Sequence, residues 1–153
     1  MTVSYRANVA TVDQLSEHLR RCDEGYVPPL SDRVVIDEYA RKIAERANRF
    51  EAWSGEGLVG LVAAYLPAAT GDPVFITDVS VIPEQRGRHV ASGLLDECAA
   101  FASRHGIDRL RLEVDRRNEP AMRLYEASGF RPIAATGESV TLERAAHRTE
   151  LVG

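Results

Sequence analysis

The sequence has few cysteines, no long apolar run and no excess of positive charge, and each scarcity excludes a class of protein. Cys22 and Cys98 lie far apart and neither belongs to a CxxC or Cys/His cluster, so we expect neither a disulfide framework nor a metal site. No stretch approaches the roughly 18 apolar residues of a membrane span, and no basic segment leads into an apolar run at the N-terminus. We therefore expect a cytoplasmic protein without a membrane partner.

The charge balance argues against nucleic-acid binding, and the length limits the number of domains. The formal net charge is −4, whereas binding to nucleic acid normally requires a basic surface, so we expect no nucleic-acid partner. A chain of 153 residues with 44% hydrophobic and 27% charged residues fits one compact domain. We predict one domain over residues 1–146 and a tail over 147–153 that is frayed or lies on the surface.

Hydrophobic periodicity predicts a mixed α/β domain in which helices pack on a central sheet, in the order βααβββαβαββ. Thr11 and Asn118 are expected to cap the first and last helices, and Gly129 to end the last one. The pair Pro28-Pro29 predicts a loop over 24–34. The predicted strands cover 3–9, 49–53, 57–66, 74–82, 109–114, 130–135 and 139–143, and the predicted helices cover 12–22, 36–47, 90–102 and 119–128.

The segment most informative about function is VSVIPEQRGRHVASGLL, residues 79–95. It predicts a strand, a tight arginine-rich loop and the start of a helix. A helix that begins directly after such a loop presents unpaired backbone N–H groups and the positive end of its dipole, which together bind a pyrophosphate. The small residues Gly87 and Ala91 would let a ligand approach the backbone. A plain strand-to-helix turn with solvated arginines is the alternative.

This segment and the run LEVDRRNEPAMRLYEASGF, residues 112–130, together resemble the GCN5-related N-acetyltransferase (GNAT) superfamily over roughly residues 48–135. The sequence Arg86-Gly87-Arg88-His89-Val90-Ala91 matches the family's pyrophosphate motif [RQ]xxGx[GA] with one departure. His89 stands where the family usually has a glycine. Its imidazole either touches a phosphate or only tolerates the backbone angles at the helix start.

The resemblance implies acetyl-CoA as co-substrate and assigns cofactor contacts by position. Backbone groups of Val79, Ser80 and Val81 would line the pantetheine, and one such amide would also stabilise the oxyanion that forms at the thioester. Asn118 would contact the cofactor near its thiol end in addition to capping a helix. The pyrophosphate would be held by Arg86, Gly87, Arg88, His89, Val90, Ala91 and Ser92.

The resemblance also implies the catalytic groups. Tyr125 matches the tyrosine that protonates the departing thiolate, a reasonable role for a phenol. Glu113 stands where the superfamily's ribosomal-protein alanine acetyltransferases carry a catalytic glutamate, although a surface ion pair with Arg109 and Arg111 would also explain it. Asp78 is the second candidate base, since Ile76 and Ser80 are expected on its strand face and a buried carboxylate can act through water.

The implied activity is direct transfer of an acetyl group to a primary amine in a ternary complex, with neither cysteine required. We expect the amine to be a small molecule bound by the segment after the first helix, where Tyr26, Ser31 and Arg33, with Asp32 and Asp37, could orient it. A protein N-terminus, an aminoacyl-tRNA, and a regulatory module that binds acetyl-CoA without transfer are the alternatives. A homodimer is a further expectation, by analogy with the superfamily.

Overall fold

The computed structural model describes residues 2–147, so the predicted tail beyond His147 lies outside the described residues. Within the described part, seven strands and four α-helices follow the predicted order, which confirms the mixed α/β fold. The strands are β1 Ser4–Ala7, β2 Asn48–Ser54, β3 Gly57–Tyr65, β4 Val74–Val81, β5 Arg109–Asp115, β6 Arg131–Thr136 and β7 Ser139–Ala145, and the helices are α1 Val12–Cys22, α2 Ile36–Arg46, α3 Val90–Arg104 and α4 Glu119–Ala127.

The predicted helix caps are present. Thr11 forms a capping box with Gln14 at the start of α1, and Asn118 accepts a hydrogen bond from the backbone N–H of Ala121 at the start of α4. Gly129, after the end of α4, has a φ of 95°.

The predicted loop at 24–34 is not wholly irregular, because it contains part of one 3₁₀ turn, Asp23–Gly25, and all of another, Leu30–Asp32. Within residues 2–147, no helix is both long and apolar enough to cross a membrane.

The sheet has the strand order β1-β2-β3-β4-β5-β7-β6 and contains one parallel pair, β4 with β5. This pairing extends only from Val74 opposite Leu110 to Ile76 opposite Leu112. Beyond that point β4 continues to Val81 and β5 continues to Asp115 without pairing to each other. We call this divergence, between residues 77–81 and 113–115, the β4–β5 opening. It leaves backbone groups in the middle of the sheet available to a ligand.

The sheet is covered on both faces, which explains why β3 is buried on both sides as its apolar sequence predicts. On one face, α1 and α2 pack Leu15, Leu19 and Ile43 against the sheet. On the other face, α3 packs Leu94 and Leu95 into a second apolar cluster. Burial of these two clusters is the main stabilising contribution to the fold.

A β-bulge at Thr77 changes which face of the sheet β4 presents. Ala64 pairs with Ile76 and Ala63 pairs with Asp78, so Thr77 is an extra residue in β4. Ile76 therefore belongs to the apolar cluster under α3, whereas Asp78 faces α1 and α2. The expectation that Ile76 shares a face with Asp78 is wrong for this reason. Tyr39 of α2 donates a hydrogen bond to the carbonyl of Thr77 at 3.0 Å, which satisfies the bulged backbone.

A buried carboxylate on β2 binds the turn between β1 and α1 and holds it against the sheet. Glu51 is completely buried and accepts hydrogen bonds from the backbone N–H groups of Val9 and Ala10, at 3.0–3.1 Å. It also accepts from Arg49 Nε at 3.1 Å and Trp53 Nε1 at 3.2 Å. Because two of its donors are backbone N–H groups of the turn before α1, this carboxylate fixes the path of the chain from β1 into α1.

Candidate active site

The N-terminus of α3 has the properties of an anion site. Gly87 and His89 have positive φ values of 77° and 63°, so the loop turns sharply into the helix. His89 provides no side-chain cap, and the first turn of α3 contains no acidic residue, whereas the first turns of α1, α2 and α4 each contain one or more. The free N–H groups of this turn and its dipole therefore face solvent with the guanidinium of Arg88 nearby in sequence.

A glycine in β3 determines how closely α3 approaches the sheet. A Cβ built on Gly60 would lie 2.8 Å from Val90 Cγ1 and 3.2 Å from Leu94 Cδ1. Only glycine therefore permits the present position of the helix. Because Gly60 pairs with Val81, this contact places the first turn of α3 beside the end of β4, at the far end of the β4–β5 opening.

The positive φ of His89 supports the interpretation that this residue tolerates the backbone angles of the helix start. A non-glycine residue in the left-handed region costs about 1–2 kcal/mol, partly offset by the lower entropy of an unfolded histidine. We expect His89→Gly to raise the free energy of unfolding by about 0.5–1 kcal/mol and to preserve CoA affinity. Chemical denaturation and calorimetric titration measure the two quantities.

The matched control is His105→Gly. His105 caps the end of α3 with a φ of −96°, so glycine there relieves no strain and is expected to reduce stability. If His89→Gly instead weakens CoA binding, the imidazole itself contacts a phosphate.

Gly25, in the segment after α1, lies against two residues of the predicted cofactor site, Arg86 and Asn118. A Cβ on Gly25 would lie 2.5 Å from Arg86 Nη2, and Arg86 Nε donates to the carbonyl of Val81 at 3.0 Å. The capping Asn118 also approaches the carbonyl of Gly25 with its Nδ2, at 3.5 Å. The predicted acceptor segment and the predicted cofactor residues are thus brought together at the β4–β5 opening.

Asp78 is the centre of a buried polar cluster at this opening. Its side chain is 3% exposed, and its carboxylate accepts hydrogen bonds from the Tyr26 hydroxyl at 2.6 Å and the Ser80 hydroxyl at 2.8 Å. Burial raises the pKa of Asp78 to about 6, although both hydrogen bonds oppose that change. A carboxylate with this pKa can accept a proton near neutral pH.

The cluster continues into α1 through a histidine that sequence reasoning did not identify as functional. His18 Nε2 lies 2.9 Å from Ser80 Oγ, and Nδ1 lies 3.3 Å from the carbonyl of Leu58. Burial lowers the pKa of His18 to about 4. Cys22 Sγ lies 3.6 Å from the same Nε2, and burial raises the pKa of its thiol to about 12. The only signal in the sequence was a polar residue within the apolar stripe of α1.

Two further phenols lie within the electrostatic influence of Asp78. Burial raises the pKa of Tyr39 and of Tyr125, and the charge of Asp78 raises both further. The Tyr125 ring is buried against Phe130, with ring centroids 5.8 Å apart. Within residues 2–147 its hydroxyl forms no hydrogen bond, and its raised pKa keeps the phenol protonated at neutral pH.

Glu113 lies on the other side of the opening and has a different environment. It is exposed on β5, and nothing in the described part of the chain forms an ion pair with it. The alternative explanation, an ion pair with Arg109 and Arg111, is wrong, because both arginines bind Glu143 of the neighbouring strand β7, at 3.2 Å and 2.8 Å. The antiparallel register places Glu143 opposite Arg111, a cross-strand partner that one strand's sequence does not reveal.

The predicted substrate residues have distinct environments. Tyr26 packs against the apolar clusters on both faces of the sheet, and the guanidinium of Arg33 lies 5.9 Å from the centre of its ring. Ser31 donates two hydrogen bonds of 2.7 Å to Asp23, one from its backbone and one from its hydroxyl. Asp37 forms an exposed ion pair with Arg20. Of these residues, Tyr26 and Arg33 lie nearest to Asp78.

Comparisons with known proteins identify the family of this chain. The model of the acetyltransferase (GNAT) family matches residues 12–130. Because the match covers well over half of the chain, the chain belongs to this family, and the resemblance noted in its sequence is confirmed.

Two relatives and one solved structure illustrate the similarity. The chain is 31% identical to thialysine N-epsilon-acetyltransferase of Bos taurus over 119 residues, which covers 68% of this chain and 70% of that protein. It is 33% identical to streptothricin acetyltransferase of Streptomyces lavendulae over 84 residues, covering 55% of this chain and only 44% of that protein. The PaiA N-acetyltransferase of Thermoplasma acidophilum, solved in complex with coenzyme A, matches with a TM-score of 0.74 at 16% identity, over 95% and 99% of the two chains. This last likeness shows the fold.

Proposed function

We propose that this chain transfers the acetyl group of acetyl-CoA to a primary amine of a small molecule, by direct attack of the amine while both substrates are bound. The observation that carries the proposal is Asp78, a buried carboxylate whose pKa is raised to about 6, on the strand that leads into a helix N-terminus suited to a pyrophosphate. The two named relatives act on streptothricin and thialysine, which supports a small-molecule acceptor here.

The residues at the cofactor position fit acetyl-CoA. The first turn of α3 presents N–H groups and contains no acidic residue that would repel a phosphate. We assign the pyrophosphate to Gly87–Ser92 with Arg86. The unpaired part of β4 offers backbone groups of Val79–Val81 to the pantetheine. Acetyl-CoA, when bound, supplies the activated thioester carbonyl. Asn118 lies at the same end of the opening, and Tyr125 holds a proton for the departing thiolate.

We assign the base to Asp78 in preference to Glu113. An amine attacks the thioester only when it is neutral, so its proton must be removed. Glu113 is exposed, whereas the environment of Asp78 holds its pKa near the range where a base is most effective. Because Asp78 is buried, we infer that the proton reaches it through the hydroxyl of Tyr26, which is half-buried and already donates to Asp78 Oδ1.

The cofactor site is tested by titrating CoA and acetyl-CoA into the purified protein and its Ala91→Glu variant. Ala91 is half-buried in the first turn of α3, so the added carboxylate would face the pyrophosphate. Like charges a few ångströms apart repel strongly near a protein surface, so affinity is expected to fall at least about tenfold.

The matched control is Ala100→Glu, an exposed position farther along the same helix, which is expected to leave affinity unchanged. Equal affinities for the wild type and the Ala91→Glu variant would contradict the assignment of the pyrophosphate to α3.

A further inference from the structure

The hydroxyl of Ser80 lies between two groups that both require its single hydrogen. Ser80 Oγ is 2.8 Å from Asp78 Oδ2 on one side and 2.9 Å from His18 Nε2 on the other. All three side chains are more than nine-tenths buried. Their hydrogen bonds must therefore be satisfied within the cluster.

The tautomer of His18 follows from its surroundings. A carbonyl oxygen can only accept a hydrogen bond, so Nδ1, which faces the carbonyl of Leu58, carries the ring proton. Burial keeps the ring neutral by lowering its pKa to about 4. A neutral imidazole has only one N–H group, so Nε2 is an acceptor directed at Ser80. The thiol of Cys22 is a weak donor at 3.6 Å and does not replace the hydroxyl.

The number of hydrogens in this chain of contacts depends on the protonation of Asp78. When Asp78 is ionised, its Oδ2 and His18 Nε2 compete for the Ser80 hydrogen, and one of the two contacts lacks a proton. When Asp78 carries a proton on Oδ2, Asp78 donates to Ser80 and Ser80 donates to His18. Every contact is then satisfied, so His18 favours the protonated form of the carboxyl group.

We propose that His18, acting through Ser80, is a positioning residue that draws a hydrogen-bond donor away from Asp78 and so makes this carboxylate a better proton acceptor. The proposal rests on the proposed function, in which Asp78 is the base. The other ionisable groups facing the cluster are Tyr26, Tyr39, Tyr125 and Arg33 toward Asp78, Arg21 and Cys22 toward His18, and Arg86 toward Cys22. All of them stay in place in the variants below.

The test is the pKa of Asp78 in the free protein, followed by carboxyl carbon NMR and assigned with the Asp78→Asn variant. His18→Asn can retain a donor for Leu58 but removes the acceptor for Ser80, and His18→Leu removes both. In either variant Ser80 is free to donate to the carboxylate. The Asp78 pKa is then expected to fall by about one unit, the size expected of one additional hydrogen bond to the charged form.

A double-variant cycle separates the coupling of His18 to Asp78 through Ser80 from a general effect of changing a buried side chain at position 18. In a Ser80→Ala background, replacing His18 is expected to leave the Asp78 pKa unchanged, since the connecting hydroxyl is absent. His18→Gln, which can present an oxygen acceptor to Ser80, is expected to preserve the wild-type value. The proposal is overturned if the pKa does not move in His18→Asn and His18→Leu, or if it moves equally with and without Ser80.

The catalytic part of the proposal has a separate readout. The rate of a base-dependent reaction falls as pH decreases through the pKa of the base, so the acid limb of kcat/KM is expected near pH 6 in the wild type and about one unit lower in His18→Asn. An NMR shift without a matching shift of the acid limb would mean that the coupling exists but that Asp78 is not the base. That result would overturn the assignment of the base to Asp78 and leave the hydrogen-bond assignment intact.

Discussion

The Asp78→Asn variant is expected to lose about 10²–10⁴-fold in kcat/KM at neutral pH, the range of a positioned general base. Asparagine has nearly the shape of aspartate and can still bond to Tyr26 and Ser80, but it cannot take a proton from the amine. Initial rates with acetyl-CoA and an accepted amine measure the loss, and calorimetric titration of CoA checks that cofactor binding is retained.

Glu113→Gln is the matched control for this experiment. Glu113 is exposed and makes no ion pair within residues 2–147, so its amide is expected to change kcat/KM only slightly. The opposite ranking, with Glu113→Gln inactive and Asp78→Asn active, would show that the base lies on β5 rather than on β4.

The Asp78→Asn substitution also has a consequence for stability, which supports a functional role for Asp78. Its pKa is raised from 3.8 to about 6 in the folded protein, so the folded state binds a proton more tightly than the unfolded chain. The resulting contribution to stability is fully present below pH 3.8 and is lost as the pH rises through about 6. Asp78 is therefore unfavourable for folding at neutral pH, and Asp78→Asn is expected to be at least as stable as the wild type.

Glu51→Gln is expected to have the largest effect on stability, a loss of about 3–5 kcal/mol in the free energy of unfolding. The amide cannot neutralise the buried guanidinium of Arg49, and it replaces an acceptor oxygen with a donor opposite Val9, Ala10 or Trp53. Urea denaturation followed by circular dichroism measures the change.

The control for Glu51 is Glu143→Gln, the same chemical change on a carboxylate that also binds arginine. Arg109 and Arg111 are both more than one third exposed, so the expected loss is about 1 kcal/mol or less. Similar losses at the two positions would contradict the structural role assigned to Glu51.

Much of the fold could be predicted because its signals are local. The alternation of Leu110, Leu112 and Val114 identifies β5, and the Thr11 and Asn118 caps follow from residue preferences at helix starts. The turn predicted to bind the pyrophosphate could be recognised as a strand-to-helix turn because one short segment contains the strand end, the turn and the helix start. Each of these predictions depends on residues within a few positions of one another.

The arrangement around Asp78 depends on contacts that local patterns do not contain. The extra residue at Thr77 breaks the alternation of β4, and its position is visible only in the pairing with β3. His18 and Ser80 are 62 residues apart in the chain, so their contact depends on how α1 packs on the sheet. Glu51 likewise gave no signal, because its partners Val9 and Ala10 belong to the turn before α1.

Amine-dependent release of free CoA would test directly whether this chain acetylates small amines. The purified protein would be mixed with acetyl-CoA and a panel of small amines that includes thialysine, streptothricin and amino acids, with Tyr125→Phe as a low-activity control and mass spectrometry of the amine. We expect thiol release that requires an amine, acetylation of that amine, and initial-rate lines that intersect as a ternary complex requires. A protein that binds acetyl-CoA but acetylates no amine in the panel, at any pH above 6, would contradict it and favour a module that binds acetyl-CoA without transfer.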